Sequence, residues 1–112
     1  RTEADGLAVG TPSKFVGNLM KTLLSGIFTI EDKELFNFMR LLDSTEGIRI
    51  EPSACAAFEG PVKLLKYDAT KKYLEEHGLI EKLGNSTHIA WATGGKLVPD
   101  DVMEAYINTY LK

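Results

Sequence analysis

Residues 87–93, Thr-His-Ile-Ala-Trp-Ala-Thr, run directly into Gly94-Gly95 and then into Lys96-Leu97-Val98-Pro99. Bulk along this run is nearly continuous, the pattern of a strand buried on both faces as in a parallel sheet. Pro99 suits the start of a helix. A strand of this kind needs flanking helices and partner strands, so the rest of the chain is read for them.

The elements alternate as required. Thr11-Pro12 reads as a cap followed by a first helical proline, opening a helix to Gly26 with a stripe of Phe15, Val16, Leu19, Met20, Leu23 and Leu24. Residues 26–30 are β-prone. An acidic start and apolar positions 35, 38, 39 and 42 give a second helix stopped by Gly47. A brief strand at 48–50 leads to Glu51-Pro52 and the small residues 53–57. Gly60-Pro61 predicts a break or kink, after which 62–77 resumes as helix and Gly78 ends it. Pro99 opens the last helix, with Met103, Tyr106, Ile107 and Tyr110 on one face. The alternation predicts an α/β fold with short, mostly parallel strands and flanking helices. Three strands this short make a poor sheet alone, so residues 1–112 are expected to be one incomplete unit of a larger α/β domain.

Composition removes several classes of function. The formal charge is −3, without the surplus of Lys and Arg that phosphate neutralisation demands, so no nucleic-acid partner is expected. No apolar run reaches the ~18 residues of a membrane span, and no signal-peptide core is visible. The lone Cys55 cannot form an internal disulfide, which suits a reducing, cytoplasmic setting. His77, His88 and Cys55 lack any metal-ligand spacing, and no metal site is expected.

Two places offer chemistry. Thr93-Gly94-Gly95 lies at the carboxyl end of the best strand, where ligands bind in open α/β sheets and glycines let a ligand approach the backbone. It also reads as an ordinary tight turn. Glu51 ends the strand at 48–50, where a carboxylate can orient a ligand or move a proton, or simply face a helix N-terminus ahead of Pro52. Lys96 beside the glycines is either an anion-attracting group or a solvated lysine. Cys55, among small residues, reads as a core thiol.

Three phrases, "TEADGLAVG" at 2–10, "GIRIEPSA" at 47–54 and "NSTHIAWATGGKLVP" at 85–99, together closely resemble the carboxyl-terminal part of the bacterial D-serine dehydratase family. "ADG" and "EP" recur more widely among fold-type II serine and threonine dehydratases and serine racemases, which depend on pyridoxal phosphate. The resemblance implies the carboxyl-terminal portion of such an enzyme's large domain, acting on D-serine to give pyruvate and ammonia by β-elimination. It places Thr93 against the pyridine nitrogen of the cofactor. Gly94 and Gly95 would lie beside the ring, Glu51 on its pyridine side, and the turn with Asp5 and Gly6 nearby. The lysine that anchors the cofactor, the glycine-rich phosphate loop and the cation site belong upstream in the family. No catalytic residue is therefore expected within these residues, and the isolated chain is expected to be inactive without the remainder of the enzyme. Lys96, where the family tends to have another glycine, and Cys55, where an aliphatic residue is expected, depart from the pattern. Two alternatives stay open: a small non-catalytic α/β interaction module, and a dehydratase for threonine or another hydroxy amino acid.

Overall fold

A computed structural model describes residues 2–110. Five α-helices run Lys14–Leu23 (α1), Asp32–Glu46 (α2), Glu59–Lys66 (α3), Asp68–Glu76 (α4) and Asp100–Ile107 (α5), with 3-10 turns at Asp5–Leu7, Pro52–Phe58 and Ile80–Asn85. Among the described residues there is no strand, and this corrects the expected α/β fold. Residues 26–30, 48–50 and 87–93 are non-helical and free of sheet pairing. The composition of 87–93 suits a pleated, buried surface, but a ladder needs repeated backbone pairing, and among the described residues this run has none. The burial inferred for that run is also reversed: Ile89 is 86% and Trp91 80% exposed.

Helix α2 is the spine. Asp32 and Glu34 stand in its first turn, favourable against the helix dipole, and Gly47 closes it at φ +65 with its N–H donating to the carbonyls of Leu42 and Asp43. Its buried face, Leu35, Phe36 and Met39, packs with Ala4, Ile50, Ala54, Cys55 and Met103 into one core. Phe36 meets Tyr106 of α5, ring centroids 5.9 Å apart. Arg40 of α2 donates to the carbonyl of Ile107, left over at the end of α5, and to that of Thr109 just beyond it, at 3.1 and 2.7 Å. At the other end of α2, the Thr2 hydroxyl donates to Asp32 and accepts from the Ala4 N–H.

Several boundaries differ from the expected ones. Ser13, not Thr11, caps α1, its Oγ accepting from the Val16 N–H. The helix stops at Leu23, short of Gly26. Gly60-Pro61 does not break its helix: a 3-10 turn tightens through Phe58 and passes into α3 around the pair. A proline in a first helical turn sacrifices an N–H that has no intrahelical acceptor there anyway. The continuous helix expected over 62–77 is instead split by extended backbone at Tyr67.

The surface is large for the chain. It exposes 8805 Å², where a compact 12.4 kDa monomer exposes roughly 6,100 Å² by size scaling. The radius of gyration, 16.0 Å, likewise exceeds the ~13 Å expected for this length. Much of the excess is apolar: none of α1 is buried, and Phe15, Leu23, Ile27, Ile89, Trp91 and Leu97 are all exposed.

Candidate functional site

The site begins with two backbones held side by side. The Glu51 N–H donates to the Gly94 carbonyl at 3.2 Å, and the Glu51 carbonyl accepts from the Ala54 N–H at 3.1 Å as the 3-10 turn starts at Pro52. Buried Ile50 and Pro52 fix this segment to the core from either side. Across from it, Val98 donates to the Gly95 carbonyl at 3.0 Å and closes the turn that hands the chain to α5.

The two glycines make this approach possible. A Cβ on Gly94 would stand 2.7 Å from one Glu51 carboxylate oxygen and 3.1 Å from the other. A Cβ on Gly95 would run into the backbone of Ile50 and Glu51, and Gly95 sits at φ +137, a region L side chains avoid. The space freed at both positions is taken up by the protein itself.

Above this seam lies a cavity of about 560 Å³, within the range of small-molecule sites. Glu51, Thr93, Gly94, Gly95 and Lys96 form its polar side, and Val98, Val102 and Tyr106 its apolar side. Thr93 and Lys96 are exposed, and Glu51 is half-buried. Four of the residues singled out from the sequence, Glu51, Thr93, Gly94 and Gly95, thus come together. Asp5 and Gly6 are not among the lining residues: their turn packs next door, where a Cβ on Gly6 would lie 3.1 Å from the Ser53 hydroxyl. The buried member of "ADG" is Ala4.

Glu51 occupies the N-cap position expected for it, with Pro52 at the first turn, yet its side chain makes no capping hydrogen bond. The carboxylate lies across the Gly94 Cα instead. Tyr106 and the two valines were missed as lining residues. Tyr106 carried a signal, since its place on the inner face of the last helix was legible, but nothing tied that face to the glycine turn.

His88 is exposed, with its ring beside the Ser86 hydroxyl, so its expected place at the head of a buried strand is not observed. His77 is exposed at the end of α4 and stacks on Tyr73, ring centroids 4.1 Å apart. Cys55 is fully buried, and burial pushes its thiol from an ordinary 9.0 up to about 12. The native protein is therefore expected to resist iodoacetamide at pH 8 and to react once denatured; rapid labelling of the native form would contradict the burial. Between about pH 9 and 12 the unfolded thiol loses its proton while the folded one keeps it, so this group lowers stability as pH rises through that window.

No family model matches the chain. Curated relatives do. A probable D-serine dehydratase of Fusobacterium nucleatum is 56% identical over 99% of this chain. Those of Desulfitobacterium hafniense and Geobacillus stearothermophilus are 54% and 52% identical over 96% and 95% of it. Nearly all of this chain is similar to one part of these probable D-serine dehydratases. It spans about a quarter of the length of these relatives, between 23% and 25%. With 99% of the chain matched, the similarity to the Fusobacterium nucleatum protein includes the Glu51-Pro52 segment and the Thr93–Lys96 turn.

Proposed function

We propose that the chain is the carboxyl-terminal part of a pyridoxal-phosphate-dependent D-serine dehydratase and supplies one wall of its cofactor site. The observation that carries this reading is the meeting of Thr93-Gly94-Gly95 with Glu51 at one cavity, in a chain more than half identical to a probable D-serine dehydratase. When bound, the cofactor supplies an electron sink for the α-carbon of the amino acid.

The residues fit the pyridine side of that group. A flat ring needs a shallow, partly apolar wall, and Val98, Val102 and Tyr106 supply it. A pyridine nitrogen needs a polar partner, and the exposed Thr93 stands on the same wall. The Thr93 hydroxyl would donate a hydrogen bond to a ring nitrogen left unprotonated, whereas a carboxylate there would hold a proton on the nitrogen. A neutral partner suits β-elimination of water from D-serine, because the electrons leave with the hydroxyl group. The lysine that attaches the cofactor and the loop that holds its phosphate are assigned to the part of the enzyme beyond these residues. The excess apolar surface supports the same view: a second body of the enzyme covers it, as in large permanent interfaces.

In the full-length enzyme, Thr93→Ala is expected to lower turnover of D-serine by about ten- to a hundredfold, the range of one hydrogen bond to a polar reacting group. Cofactor attachment should persist, and Thr93→Ser should recover most of the loss. Pyruvate release and the cofactor absorption spectrum check this together. Wild-type turnover with an unshifted spectrum in Thr93→Ala would sink the assigned role.

A further inference from the structure

Glu51 is an acidic group on the wall of the proposed site, and its geometry is unlike that of a ligand-binding carboxylate. Its main chain holds the Gly94 carbonyl, and its side chain is laid over the Gly94 Cα with both oxygens within about a van der Waals contact of where a Cβ would stand. Thr93 is one peptide away. The end of the carboxylate therefore fills the space that a side chain on Gly94 would need.

We infer that Glu51 is a positioning residue: its carboxylate, seated on Gly94, fixes where the Thr93 hydroxyl stands, and it acts through the turn instead of by touching the ligand. The inference rests on the pyridine-side reading of Thr93. What matters in this role is the shape and planarity of the side chain, since a glutamine amide fills the same volume. The pairing is reciprocal. Any side chain at 94 pushes the carboxylate off its seat, and the nearest group that has to move is the end of a flexible side chain, so the fold is preserved while the turn loses its clamp. A misplacement of about 1 Å at a reacting group can cost on the order of a hundredfold.

The test uses the full-length enzyme and three readouts: the pyridoxal phosphate dissociation constant, the cofactor absorption maximum, and kcat with KM for D-serine. Glu51→Ala and Gly94→Ala are each expected to weaken cofactor binding and lower kcat by about tenfold or more, with a shifted absorption maximum. Glu51→Gln should stay near wild type. The double variant Glu51→Ala/Gly94→Ala should be no worse than either single change, because in Glu51→Ala there is no carboxylate left for the new methyl group to displace. Thermal midpoints of the cofactor-free forms confirm that each variant is folded. Additive losses in the double variant overturn the inference, as does Glu51→Ala with wild-type binding. Glu51→Gln as damaging as Glu51→Ala also overturns it, since the charge itself would then be in use. If instead Thr93→Ala changes neither spectrum nor turnover, the pyridine-side reading falls; a Thr93 effect alongside additive losses removes only the role given to Glu51.

Discussion

Gly95→Ala is expected to destabilise the protein by about 2–4 kcal/mol, combining the strain of a disfavoured φ with a lost backbone hydrogen bond. Gly95 sits at φ +137, and an added methyl group meets main-chain atoms of Ile50 and Glu51, with the Glu51 nitrogen 2.7 Å away. Main chain cannot swing aside as a side chain can. Ile50 is buried in the core, so the segment opposite is fixed and the glycine turn has to lift. Lifting it breaks the bond from the Glu51 N–H to the Gly94 carbonyl and opens the floor of the cavity. Gly94→Ala, whose nearest obstruction is the movable end of Glu51, is expected to cost less than about 1 kcal/mol. Urea unfolding of the two variants side by side measures the contrast. Equal stabilities would mean that the close approach at Gly95 is not a constraint.

Phe36→Ala carries the second large effect. Phe36 is 1% exposed and contacts both Tyr106 and Tyr110, the latter at 5.2 Å between ring centroids. Truncating a buried phenylalanine costs about 3–5 kcal/mol through lost burial and the cavity left behind. The loss falls where it matters for the site, because Tyr106 also lines the cavity above Glu51. α5 and the residues just after it are joined to α2 by those rings and by the Arg40 hydrogen bonds to the carbonyls of Ile107 and Thr109. Weakening the ring contact therefore loosens the helix that the glycine turn feeds. A urea midpoint displaced by less than the equivalent of about 1 kcal/mol would show that α5 is held some other way.

How much of this was legible in the sequence differs by element. α2 was readable because its apolar spacing, acidic first turn and Gly47 stop are all local signals, and local signals decide most of a helix. The strands were not. A run such as Ile89-Ala90-Trp91 reports only that its side chains suit a pleated, covered surface, while pairing depends on other backbones that no local pattern encodes. A trace of contact survives just past the ends of segments 48–50 and 87–93, where the Glu51 N–H donates to the Gly94 carbonyl. At the site, the juxtaposition of "EP" with "TGG" came from family resemblance and not from spacing, since Thr93 lies 42 positions after Glu51. That Gly94 makes room for Glu51 itself was beyond reach of the sequence, because a glycine says that space is needed and not what fills it.

The isolation of α1 has a bearing on how the protein is handled by proteases. A ten-residue helix with no buried side chain lies below the ~12–15 residues at which helices hold together unaided in water. Its hydrogen bonds outlast exposure only when its apolar stripe is covered, so the segment from Lys14 to Leu24 works as a conditional element: shielded from cleavage when seated, open to it when not. Lys14 and Lys21 lie within that stretch, presenting trypsin-type sites that are spared or cut according to whether the apolar stripe is covered.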